Sequence, residues 1–121
     1  MSIRALWLSR HDMTDEQKAD LERIYPSCEI VKLDQTADNV QTLLEWCKGF
    51  DVLAAVLPIE LLCELMKLKP DGLRVIFARS ERVKTEKTVL NPATGGMDSE
   101  YLFRFDGWRE IVRLDCEITN L

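Results

Sequence analysis

At 121 residues, with 31% charged and 46% apolar side chains, the chain has the composition of a single globular domain over 1–121, not of a disordered segment. Its 21 acidic residues outnumber 16 basic ones, and a net charge of −5 speaks against a protein that coats duplex nucleic acid, which carries a basic footprint. No window approaches the roughly 20 apolar residues of a membrane span, and the short apolar opening is followed at once by Arg10, His11 and Asp12, unlike a signal peptide.

Ile3 to Leu8 is nearly continuous apolar sequence, as in a strand covered on both faces. Thr14-Asp15-Glu16-Gln17 then forms a capping box, and Leu21, Ile24 and Tyr25 continue a helix that Pro26 ends. Glu29 to Leu33 predicts a second strand. Asp38 or Asn39 opens a helix whose stripe is Val40, Leu43, Leu44 and Cys47, with Gly49 as its C-terminal stop. Val52 to Leu57 predicts the most buried strand. Pro58 suits the first turn of a helix carrying Ile59, Leu62, Cys63 and Met66, and Pro70-Asp71-Gly72 is a turn before a fourth strand over Leu73 to Ala78. This βαβαβαβ order calls for a parallel sheet with right-handed crossovers.

The second half changes character. Val83 to Leu90 can be extended but is thinly apolar, and Asn91 to Gly96 is a loop by composition. Tyr101, Phe103 and Phe105 alternate with Leu102 and Arg104. Asp106-Gly107 reads as a hairpin turn, after which Val112, Leu114, Cys116 and Ile118 alternate with Arg113, Asp115 and Glu117. The fold class expected is α/β: a small Rossmann-like three-layer fold with a mainly parallel sheet, extended by a C-terminal antiparallel β-meander. An unpaired aromatic meander is large for a body of this size and predicts a two-fold homodimer.

The four cysteines are scattered, with no C-x-x-C pair and one histidine in the chain, so no metal site and no cofactor are expected. Cys47, Cys63 and Cys116 fall in phase with apolar residues and read as buried free thiols of a cytoplasmic protein. There is no G-x-G-x-x-G, no G-K-[ST] and no G-x-S-x-G, which argues against a dinucleotide fold, a P-loop and a hydrolase elbow.

In open α/β sheets ligands bind beyond the carboxyl ends of the strands. The segments there are Ser9-Arg10-His11 after the first strand, Asp34-Gln35-Thr36 after the second, Pro58 after the third, and Arg79, Ser80 and Arg82 after the fourth. Ser9, Arg10, His11, Pro58, Arg79, Ser80 and Arg82 are the candidate ligand-binding residues. Arginine forks suit phosphate or carboxylate, and the amides opening the Thr14 helix would add an anion-friendly dipole. His11 is the candidate acid/base should there be catalysis.

Leu8-Ser9-Arg10-His11-Asp12-Met13-Thr14-Asp15-Glu16-Gln17 resembles the opening of small CRISPR-associated Rossmann-fold (CARF-like) proteins, in which a short polar segment ending in histidine precedes a Thr-x-Glu-Gln helix start. The resemblance covers about the first 25 residues, and the element order extends it loosely to residue 80. It implies a homodimeric sensor that binds a nucleotide messenger, typically a cyclic oligoadenylate, at the strand edge, with Ser9, Arg10 and His11 on one wall and Arg79 to Arg82 on the other. The glycine-rich helix start common after the fourth strand of that family is missing. The function expected is thus a small soluble sensor of an anionic nucleotide-type ligand. The alternatives are a non-enzymatic interaction module using the C-terminal sheet, and a small phosphoester-cleaving enzyme.

Overall fold

The centre of the fold is a run of short parallel strands, the inner ones flanked by a neighbour on each side. The computed structural model describes residues 2–121 as β1 (Arg4–Leu8), α1 (Asp15–Ile24), β2 (Glu29–Leu33), α2 (Val40–Trp46), β3 (Val52–Ala55), α3 (Ile59–Leu68), β4 (Arg74–Leu90) and β5 (Met97–Glu110). The strands form one sheet in the order β2-β1-β3-β4-β5. The first four run parallel, with Trp7 level with Lys32 on one side and Ala54 on the other, and Ala54 level with Ile76. β5 returns antiparallel along β4. The protein is therefore a mixed α/β chain with a mostly parallel sheet. Among the described residues no helix is long and apolar enough to cross a membrane.

Strand alternation divides the core between the two faces of the sheet. Leu6, Leu8, Leu53, Ala55 and Val75 point to one face, where Val40 and Leu43 of α2 and Leu65 of α3 cover them. Ala5, Val52, Ala54 and Ile76 point to the other, covered by Met13, Leu21 of α1 and Trp108 of β5. All four β3 side chains are buried, as the unbroken apolar run requires. The Thr14 hydroxyl accepts from the Gln17 amide at 3.1 Å while the Gln17 side chain accepts from the Thr14 amide at 2.9 Å, so the expected capping box is present. Asn39, not Asp38, caps α2, and Gly49 takes the positive φ of 82° that lets the chain turn into β3.

The second half departs from expectation at three places. The fourth strand does not stop at Ala78. It continues to Leu90, so Arg79, Ser80 and Arg82 belong to a ladder and not to a strand-end loop. Asp106-Gly107 is not a hairpin turn either. Ala78 pairs with Trp108 and Ser80 with Phe105, so Asp106 and Gly107 together face the single residue Arg79. That is a β-bulge, and a glycine at φ 89° serves a bulge as readily as a turn. The turn lies at 91–96 instead, where the Asn91 amide donates to the Gly96 carbonyl and its side chain holds both the Ala93 amide and Asp98. Finally, Val112 to Ile118 forms no strand, so the expected meander is a single long hairpin. β5 already occupies the edge beside β4 down to Ile76, and after Ile111 donates to the Val75 carbonyl no partner edge is left there.

The tail runs instead to α3, where Cys116 is joined to Cys63 in a disulfide; the expected thiols at these two positions are replaced by a bond. Cys28 and Cys47 are free, and burial pushes the Cys47 thiol up to about 11. Trp108 fastens β5 to α1. Its indole Nε1 donates to the Gln17 carbonyl at 2.9 Å, its amide donates to Asp20 Oδ2 at 3.2 Å, and its ring meets Trp7 and Phe105 edge to face, each at 5.9 Å. Trp108→Ala is expected to cost about 3–5 kcal/mol, the range for a deleted core aromatic. Urea unfolding followed by circular dichroism checks this, and a loss within about 1 kcal/mol would mean that β5 is held without its indole.

Candidate functional site

The strand order places a cleft where sheets of this type are open. The chain leaves β1 toward β2 on one side, and β3 returns on the other. The connections therefore part above β1, as at the ligand-binding crevice of open α/β sheets. A cleft of about 520 Å³ lies there, in the size range of small-ligand sites. Its floor is apolar, from Trp7, Leu8, Ala37, Leu57 and Leu61. Its rim is polar, from Ser9, Arg10, His11, Asp34, Gln35 and Thr36, with Val56 and Pro58 on the β3 side.

The first loop is held from below and from both sides. The Ser9 amide extends the β1–β2 pairing by donating to the Leu33 carbonyl. Its hydroxyl accepts from the His11 amide at 3.1 Å, a local turn that keeps the oxygen's own proton free to donate. The Trp7 indole donates to the His11 carbonyl at 2.7 Å. At the far end Lys32 donates to Asp12 at 2.7 Å, and Met13 is buried. The Lys32 hydrogen bond and charge hold the Asp12 carboxyl below its ordinary range. The Arg10 guanidinium and the His11 imidazole are left at the rim. Arg10, unlike Arg79 and Arg104, faces no carboxylate within ion-pair distance among the described residues.

The three helix starts differ in what they offer an anion. α1 commits the Thr14 and Gln17 amides to its own capping box, and its start does not line the cleft. α2 is capped by Asn39. α3 begins after Pro58 with no side-chain cap, and Pro58 and Leu61 line the cleft, so its free first-turn amides border this space.

Four of the expected residues, Ser9, Arg10, His11 and Pro58, thus meet in one cleft. Arg79, Ser80 and Arg82 do not line it. By register Arg79 does leave at the same sheet edge, yet its Nε lies 3.7 Å from Asp106. Ser80 sits beside the start of α1, and Arg82 lies over the Tyr101 ring at 3.7 Å. Trp7, in the strand expected to be covered on both faces, is half-buried and forms part of the floor. Asp34, Gln35 and Thr36 were visible as a strand-end loop but carried no signal that they would face the first loop. Among the described residues no group of three His, Cys, Asp or Glu side chains could hold a metal ion. Comparison with protein-family models, with curated proteins and with solved structures finds no significant match.

Lys32→Ala is expected to return the Asp12 titration midpoint upward toward 3.8. Because the folded value is depressed, the pair's support for the loop is present above the ordinary carboxyl range and is lost as the pH falls through the folded value. Carboxyl carbon chemical shifts across an acid titration read the midpoint directly. An unchanged midpoint would show that the pair is absent in solution.

Proposed function

We propose that the chain is a small Rossmann-like three-layer α/β sensor that binds an anionic nucleotide-type ligand in the cleft above β1. The observation that carries this reading is the meeting, over an apolar floor, of the unpaired Arg10 guanidinium and the uncapped start of α3. A phosphate would take the guanidinium fork, the free Ser9 proton and the α3 amides, each a charge-assisted donor. A base would lie against Val56 and Pro58; Val56 is 87% exposed, an apolar side chain that a ligand would cover. The rim carries Asp34 as well as Arg10, so a phosphate would sit on the Arg10 side. The likeness of Leu8 to Gln17 to CARF-like openings favours an adenylate, linear or cyclic.

The reading is one of binding and not of turnover. His11 is the chain's one histidine, and a phosphoester needs both an acid/base and a means of activating its nucleophile. Calorimetry with adenosine monophosphate and with cyclic tri- and tetra-adenylate tests the proposal. Binding by at least one is expected, with Arg10→Ala weakening it by roughly 10-fold or more, the value of a charged hydrogen bond. Arg82→Ala should leave it unchanged. No heat with any of these ligands, or equal losses in both variants, would overturn the site. Ring opening or hydrolysis on prolonged incubation, abolished by His11→Ala, would replace sensing by a phosphoester-cleaving activity.

A further inference from the structure

Beyond Ile76 the sheet narrows to two strands. β3 pairs with β4 only as far as Ala54 and Ile76, so from Phe77 to Leu90 β4 is partnered by β5 alone. Two-stranded ribbons are marginal in water without further cover. This one also exposes large apolar groups: Phe103 is 76% exposed, Leu102 55% and Tyr101 42%. They lie on β5, whose outer edge has no neighbour in the sheet. A long, apolar, unprotected edge is a template for strand addition.

We propose that this edge is where a second copy of the chain adds, antiparallel, about a two-fold axis through Leu102, so that two sheets join into one. The residue pattern of β5 is what selects a second copy as the occupant. Pairing the strand with itself about Leu102 sets Tyr101 against Phe103 of the other copy, twice, on one face. On the other face it sets Glu100 against Arg104, twice, around a central Leu102 pair. Cross-strand aromatic pairs and opposite charges directly facing each other are the favourable pairings of an antiparallel ladder. The charges also fit their present surroundings. Arg104 already holds Glu81 at 3.0 Å through one nitrogen, leaving the rest of its fork for Glu100 of the second copy. Thr85 holds Glu100 at 3.1 Å, which orients the carboxylate without neutralising it. The seam runs from Ser99 to Phe105. Beyond it Asp98 would face Asp106, and there the bulge at Asp106-Gly107 breaks the ladder.

The other free edges lack this complementarity. β4 beyond Ala78 has no aromatic side chain to pair across a seam, and pairing it about Val83 would set Arg82 against Lys84. β2 carries Glu29 and Lys32, and pairing it about Val31 would set each charge against an apolar side chain. This inference stands apart from the ligand reading, since the cleft has no residue of β5 in its lining.

The test is the mass in solution of the full chain and of two charge variants, alone and mixed, by sedimentation velocity at micromolar concentration. The wild type is expected at twice the 14.0 kDa chain mass. Glu100→Arg places two pairs of guanidinium groups across the seam, and Arg104→Glu places two pairs of carboxylates. Each variant alone is expected to be monomeric, with its far-ultraviolet circular dichroism unchanged. Mixed in equal amounts they restore opposite charges at both positions and should form a heterodimer. A monomeric wild type, a dimer indifferent to both variants, or a mixture that stays monomeric would each overturn the proposal. Should either variant fail to fold, hydrogen exchange of the wild type decides: amide protection over Ser99–Phe105 must fall on dilution, and protection independent of concentration would refute the seam.

Discussion

The structure depends on Trp7. It sits in β1, which like β3 has a parallel neighbour on each side, and its ring reaches in two directions. Its Nε1 donates to the His11 carbonyl, which fixes the loop above the strand. Its ring meets that of Trp108 edge to face, which fixes β5 beneath α1. A buried or half-buried indole needs a partner for its one N–H, and here the partner is the loop that carries Ser9, Arg10 and His11. Candidate site and hairpin are therefore anchored on one side chain, and each is positioned by contacts made within the parallel part of the sheet.

From that anchor the two halves follow different physics. The inner parallel strands are covered on both faces, and the parallel strands end together in an edge where loops gather. The hairpin half pairs only with itself once β3 has ended, so it keeps an exposed apolar edge that the body does not cover. Two demands meet at Asp106-Gly107. The extra residue of the bulge lets Trp108 enter the core while Phe105 continues the ladder, and Arg79 and Arg109 each lie 3.7 Å from the Asp106 carboxylate that faces out at the kink.

Much of the parallel half was legible in the sequence because its signals are local. Thr14 and Gln17 are three residues apart and cap each other, and Val40, Leu43 and Cys47 fall on one helix face. Val52 to Ala55 is apolar without alternation, as a central strand must be. The hairpin half was misread because its signals are ambiguous at short range. Asp106-Gly107 has the composition of a turn and the geometry of a bulge, and only the pairing of Ala78 with Trp108 separates the two. Val112 to Ile118 alternates like a strand, yet β4 begins at Arg74, so beyond Ile111 the tail has run past its partner and turns to α3. The Cys63–Cys116 bond joins residues 53 positions apart, and no spacing rule announces that. The alternating order alone put Ser9, Arg10, His11 and Pro58 at one sheet edge, and they line one cleft. Arg79, Ser80 and Arg82 do not join them because β4 outlasts its parallel neighbour, and nothing local marked Trp7, which bonds to a residue four positions on.

The central claim is that the space above β1, floored by Trp7, receives an anionic ligand. The most direct measurement is the indole N–H spectrum of the protein, which has three tryptophans, during titration with adenosine monophosphate or a cyclic oligoadenylate. The Trp7 resonance lies in the cleft and is bonded to the loop, so it is predicted to move together with the amides of Arg10, His11 and Gln35, while that of Trp46 stays fixed. Saturable shifts confined to β5 and the amides around Tyr101, with Trp7 and Arg10 unmoved, would contradict the account.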